Sequence, residues 1–234
     1  MKRSWKSDLP MRRSAFGEAQ RTCYGYIRDT EKILKRKYSV LVVDDHDGLH
    51  SMPFARSNNK VDCFEPEEMF YTGGNIDGFD FRGLKERLER ENLTDYVTFA
   101  NKNFYEERVE TKYDFVYVYR SLHKDRNKNI PMDRKIRKLL SAVKENGYIY
   151  ILYHLADKDW DYSNFGKEQY LRVGQLPPYL YDFDIISFKE RPNKTIHNAH
   201  PYNNQDHKHR VGYVFARKKS KRIKHKFHYK INLL

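Results

Sequence analysis

Residues 40–67 read VLVVDDHDGLHSMPFARSNNKVDCFEPE, and this stretch decides the fold. Ser39-Val-Leu-Val-Val43 is a continuous β-branched run, the pattern of a strand buried on both faces of a parallel sheet. A polar turn follows, Asp44-Asp-His-Asp-Gly48, and then a short helix over residues 49–55. Val61-Asp-Cys-Phe64 is a second strand, closed by Glu65-Pro66 because proline cannot continue a ladder.

Outward from this unit the alternation continues. Upstream, Tyr26 to Lys37 carries Ile27, Ile33 and Leu34 among charges and reads as a leading helix. Downstream, residues 72–78 read as a loop, residues 81–92 as an amphipathic helix with Leu84 and Leu88 at i, i+4, and residues 96–100 and 113–119 as the third and fourth strands. Asp133 to Glu145 places Ile136, Leu139, Leu140 and Val143 on one stripe, and Asn146-Gly147 supplies a helix stop. Residues 147–153, 184–188 and 211–216 complete seven strands. Strand–helix alternation of this kind predicts an α/β domain with a mostly parallel seven-stranded sheet and helices on both faces. The last two strands lack a clear intervening helix, which suggests an antiparallel edge with the last strand running antiparallel. Any ligand is expected at the carboxyl ends of the strands, near the switch in strand order: residues 44–51, 65–67, 101–103 and 119–124.

The 234 residues include 45 Lys and Arg, 32 Asp and Glu, 33 Tyr and Phe and two Cys. That aromatic load excludes a disordered chain, and two cysteines make no disulfide framework. No apolar run approaches the roughly 18 residues of a membrane span, and the start MKRSWKSDLP lacks the apolar core of a secretory signal. These features predict a soluble intracellular, cytoplasmic protein. Charge is uneven: residues 1–37 carry +7, residues 217–234 carry +8, and the body between them is −2. The chain therefore divides into a basic N-terminal arm with its leading helix (1–37), a domain (38–216) and a basic tail (217–234). Phe227 and Tyr229 sit among the cations of RKKSKRIKHKFHYK, a mixture that suits stacking on bases while the cations take phosphates. Nucleic acid, RNA above all, is the expected partner of the arms. A nuclear-localisation run has the same composition, and a solvated tail is the alternative use.

The stretch quoted at the outset resembles the first two motifs of class I S-adenosylmethionine (SAM)-dependent methyltransferases. Its closest flavour is the FkbM-like group, whose spacing Gly48, Ser51, Ala55, Phe64, Glu65 and Pro66 follow. The resemblance runs through residues 39–154 and implies a Rossmann-like sheet and SAM as cofactor. It also implies a turn passing the methionine part of SAM and an acid, Glu65, on the ribose hydroxyls. A carboxylate offers two acceptor oxygens to a vicinal diol, so the chemistry agrees. The chain departs from the pattern in three ways. Val42 stands where an acid is usual, Asp44 and His46 where glycines are usual, and the fourth strand ends in Arg120-Ser-Leu-His123 rather than Ile-Asp-x-Glu-Gly.

The candidate cofactor-binding residues are Asp44, Asp45, His46, Gly48, Ser51, Glu65 and Asn101; Asn101 and Asn103 after the third strand either meet the adenine edge or form a plain turn. For the acidic turn, contact with the amino group or sulfonium of SAM competes with a divalent metal site and with plain helix capping. His123 has the chemistry of a general base, and Arg120 or Lys124 that of a clamp for an anionic acceptor. His197, His200, His207 and His209 cluster in a polar loop that can cover substrate or bind Zn²⁺. Two functions remain: a SAM-dependent methyltransferase acting on an oxygen or nitrogen of a nucleic-acid or carbohydrate acceptor, or a catalytically inactive relative of that fold serving as a binding or scaffold subunit.

Overall fold

The computed structural model describes residues 17–76, 79–124, 127–156, 170–190, 195–197 and 207–220. The basic arm 1–16, the tail beyond residue 220 and His200 lie outside the described residues. In chain order the elements are α1 (Gly17–Leu34), β1 (Ser39–Val43), α2 (Ser51–Arg56), β2 (Lys60–Phe64), α3 (Met69–Thr72), β3 (Gly74–Ile76), β4 (Phe79–Phe81) and α4 (Leu84–Arg90). There follow β5 (Val97–Ala100), β6 (Tyr113–Tyr119), α5 (Met132–Ser141), β7 (Val143–His154), β8 (Phe183–Glu190), β9 (Thr195–His197), β10 (His207–His209) and β11 (Val211–Lys218).

Seven strands form one sheet in the order β5-β2-β1-β6-β7-β11-β8. β1 pairs parallel with β2 on one side and β6 on the other, which is why its Val40–Val43 run is buried on both faces. Strand order reverses between β1 and β6, so the crevice at their carboxyl ends is the place for a ligand. Alternate residues feed two cores. Val40, Val42, Phe115, Tyr117, Tyr148 and Tyr150 pack with Cys23 and Ile27 of α1, Phe54 of α2 and Leu84 of α4. On the opposite face Leu41, Val43, Val116, Val118, Ile149 and Ile151 pack with Ile136 and Leu139 of α5.

Three expectations change. The leading helix starts at Gly17 rather than Tyr26, and its Cys23 and Ile27, one helical turn apart, are buried in the core. Residues 72–78 were expected as one loop, but α3 ends and β3 lies there, paired antiparallel with β4. The helix before β7 stops at Ser141, not at Asn146-Gly147. Those two residues make an irregularity inside β7: Tyr113 opposes Val143 while Phe115 opposes Tyr148. A Cβ on Gly147 would lie 2.9 Å from the Lys144 carbonyl oxygen and 3.0 Å from that of Asp114, so only glycine fits. As expected, the last strand is antiparallel: β11 runs antiparallel to both neighbours, one place in from the antiparallel edge strand β8. It extends to Lys218, whose ammonium donates to the carbonyls of Leu140 and Val143. No described helix is long and apolar enough to cross a membrane.

Candidate functional site

The loop after β1 determines the site. Asp44, His46 and Gly48 have φ of +61°, +58° and +89°, all in the left-handed region. These are the three positions at which the resembled motif carries glycines. Asp and His are among the side chains that tolerate this conformation best, so the loop follows a left-handed path with only one glycine in it. Gly48 is irreplaceable on a second count: a Cβ there would lie 2.6 Å from Leu84 Cδ1 and 3.1 Å from Met52 Cγ.

Asp45 is fully buried and serves the loop itself. Its Oδ1 accepts the backbone N–H groups of His50 (2.7 Å) and Ser51 (2.9 Å), and its Oδ2 lies 3.4 Å from the Cys63 thiol. This is the capping role, with the donors of the loop and of the start of α2 satisfied by one carboxylate. Burial raises its pKa to about 6 against the pull of those hydrogen bonds. Asp47 turns away to Arg87 of α4 at 2.5 Å.

Glu65, at the end of β2, is also fully buried. Its Oε2 accepts the backbone N–H of His46 (3.1 Å) and its Oε1 that of Glu67 (3.2 Å). The acid of the second strand is thereby tied to the middle of the β1 loop. The His46 ring packs edge-on against Phe70 of α3.

Across the switch point, β6 ends in a cationic turn. Arg120 has φ +53° and sets its guanidinium 5.3 Å from the centre of the Tyr119 ring. Lys124 reaches to within 3.9 Å of Asp44 Oδ1, with both side chains largely buried. Ser121 is buried and shares a 2.8 Å hydrogen bond with Tyr105 Oη. Asn127 Nδ2 donates to the Ser121 carbonyl, and the buried Lys135 of α5 donates to the carbonyls of Leu122 and Asn127. Burial lowers the Lys135 pKa to about 8. A cation on two loop carbonyls and the Asn127 amide on a third hold this turn in shape.

The His123 ring stacks on His154, the last residue of β7, with centroids 3.9 Å apart and planes 22° from parallel. Burial, then Arg120 and Lys124, drive His123 down to about 3. It is neutral at pH 7, with a pKa below the near-neutral range that suits a general base. His50 is likewise pushed to about 3, by burial and the same cations; it is fully buried between Tyr117 and Tyr119, and neither ring nitrogen has a hydrogen-bond partner.

The structure thus gathers Asp44, His46, Gly48, Glu65, Arg120, His123 and Lys124 at the carboxyl ends of β1, β2 and β6. Ser51 contributes a backbone N–H to Asp45 and is buried. Asn101 is exposed at the end of β5, while Asn103 is drawn into a turn with Asn127 and the Tyr105 backbone. Among the described residues no group of three His, Cys, Asp or Glu is placed to hold a metal. His197 opposes His207 in the β9–β10 ribbon. Sequence reasoning missed His154, Tyr105, Asn127 and Lys135. His154 had a signal, as the first polar residue after the apolar run of a central strand; Lys135 had none, since its partners are carbonyls of another segment.

No protein-family model matches the chain, and no curated protein matches it. Solved structures do. TehB from Haemophilus influenzae superposes with a TM-score of 0.62 at 19% identity, covering 83% of this chain, which spans 62% of that one. The Burkholderia thailandensis 1,6-didemethyltoxoflavin-N1-methyltransferase, solved with 1,6-didemethyltoxoflavin and S-adenosylhomocysteine, gives 0.53 at 13% identity, covering 86% of this chain and 79% of its own. The 4+2-cyclase SpnF gives 0.58 at 12% identity, covering 89% and 84%. At these identities the likeness is one of fold, and the fold is that of class I methyltransferases: a seven-stranded, mostly parallel sheet with an antiparallel last strand between the fifth and sixth.

Proposed function

We propose that this chain is a SAM-dependent methyltransferase whose acceptor is an oxygen or nitrogen of a phosphate-bearing molecule, RNA foremost. The observation that carries the reading is the left-handed path at Asp44, His46 and Gly48, joined to Glu65 through the His46 N–H. A loop held this way turns tightly across the end of β1 and brings its backbone beside the acid of β2. The residues fit the cofactor: Glu65 suits the ribose diol, and the facing charges of Asp44 and Lys124 match the ammonium and carboxylate of an amino-acid group. SAM, when bound, supplies an electrophilic methyl group; the protein's part is to orient the acceptor, which alone accounts for a large share of such catalysis. Arg120 faces the same crevice and suits an anion better than a neutral sugar. His123 stays uncharged there, and its buried Nδ1 has no hydrogen-bond partner among the described residues. The fold alone does not name the reaction, since a 4+2 cyclase shares it.

Titration calorimetry with S-adenosylhomocysteine tests the cofactor. The wild type is expected to bind, and Glu65→Ala to weaken binding by about 1–3 kcal/mol through lost charge-assisted hydrogen bonds. No binding at millimolar ligand would leave the chain a non-catalytic binding or scaffold subunit. Undiminished binding by Glu65→Ala would remove only the ribose assignment.

The acceptor is tested through the tail. Residues 221–234 hold five Lys or Arg and no acid, and their removal leaves β11 whole. If about half of the five meet phosphates, the slope of log K against log salt for RNA flattens by about 2. Equal slopes would free the tail from that role. Indifference of the full chain to RNA at low salt would move the acceptor to a carbohydrate.

A further inference from the structure

The edge strand β8 is unlike the rest of the sheet. Ile185, Ile186 and Phe188 are 45%, 41% and 38% exposed, and no described strand lies outside them. A lone edge of this kind invites pairing with another chain. Its own side chains say which chain. In the register with β11, Asp184 opposes Arg217, Ile185 opposes Ala216, Ser187 opposes Phe215, Phe188 opposes Val214 and Lys189 opposes Tyr213, with a shift at Ile186. Opposed residues share a face and neighbours alternate. The shift therefore reverses the usual alternation, so that Asp184 and Lys189 lie on one face of β8 while Ile185 and Phe188 lie on the other. Without the extra residue, positions five apart would point to opposite faces.

We propose that two copies of this chain pair antiparallel through β8, about a two-fold axis perpendicular to the sheet between Ile186 and Ser187. Such an axis keeps each face of the strand on the same side in both copies. Asp184 then stands opposite Lys189 of the second copy, Ile185 opposite its Phe188, and each ion pair and each apolar pair occurs twice. The two features that usually guard an edge, a lysine and a bulge, become selective here. The lysine is answered only by a strand with an acid five residues earlier, and the bulge only by a strand carrying the same bulge in register. The strand thus rejects general partners and fits its own copy.

Charge exchange tests the register. The full-length wild type is expected to sediment as a dimer. Lys189→Asp places like charges opposite each other twice and should weaken self-association by about tenfold or more. Asp184→Lys should do the same; here Lys219, 3.8 Å from Asp184, adds repulsion. Mixing the two single variants restores both ion pairs, so an equimolar mixture should regain the wild-type dimer, which also shows that both variants are folded. A monomeric wild type overturns the proposal, as does a dimer that neither reversal weakens, or a mixture that stays monomeric.

Discussion

Gly48→Val is expected to destabilise the protein by roughly 2–5 kcal/mol, the largest single-residue effect in the β1 loop. Two costs combine. The residue sits at φ +89°, where an L side chain pays about 1–2 kcal/mol. Its new Cβ would also lie 2.6 Å from Leu84 Cδ1 and 3.1 Å from Met52 Cγ, and overpacking a buried contact costs about 1–3 kcal/mol. Leu84 is wholly buried at the start of α4, so relief of the contact forces its side chain to repack against its neighbours. Urea unfolding measures the loss. His46→Gly is the control: its φ is +58° and its backbone N–H bond to Glu65 survives the change, so stability should stay within about 1 kcal/mol of wild type. A Gly48→Val protein as stable as His46→Gly would show that the loop is not locked against α4.

The second large effect is acid lability. His50 and His123 both have pKa values of about 3 in the folded protein, against 6.5 for a free histidine. The unfolded chain binds their protons below about pH 6.5 and the folded chain refuses them until about 3. Stability is therefore whole above pH 6.5 and falls as pH drops through that window. For the fully buried His50 the loss reaches about 2 kcal/mol at pH 5, at 1.36 kcal/mol per unit; His123, less completely buried, contributes less. Asp45 works the other way: its raised pKa of about 6 means that its burial penalty is relieved as it takes up a proton, offsetting part of the loss. His50→Leu separates these contributions. The ring nitrogens have no hydrogen-bond partner to lose, and Leu has nearly the same volume. Melting temperature plotted against pH should fall less steeply from 6.5 to 4 in the variant. Superposable curves would mean that His50 takes its proton in the folded state without penalty.

Much of this protein follows from its sequence alone. β1 and β6 fall on the residues expected, Ser39–Val43 and Tyr113–Tyr119, because continuous β-branched and aromatic runs have no other stable home than a strand covered on both faces. The parallel order and the place of the crevice follow from strand–helix alternation. The tertiary structure decided what depends on segments distant in sequence. Asn146-Gly147 has the local chemistry of a helix stop, yet it is folded into β7 because the carbonyls of Tyr113 and Asp114 lie against it. The aspartates of the turn look alike in sequence; burial beside His50 and Cys63 gives Asp45 to the loop, while Lys124 faces Asp44 and Arg87 takes Asp47. A histidine carries a neutral-range pKa until its surroundings are known, and here burial together with Arg120 and Lys124 sets His123. Asp44 and His46 are not glycines, yet they hold the same left-handed φ as Gly48: the sequence records which side chains stand at a turn, and only closure of that turn against β2 and α4 sets the sign of φ.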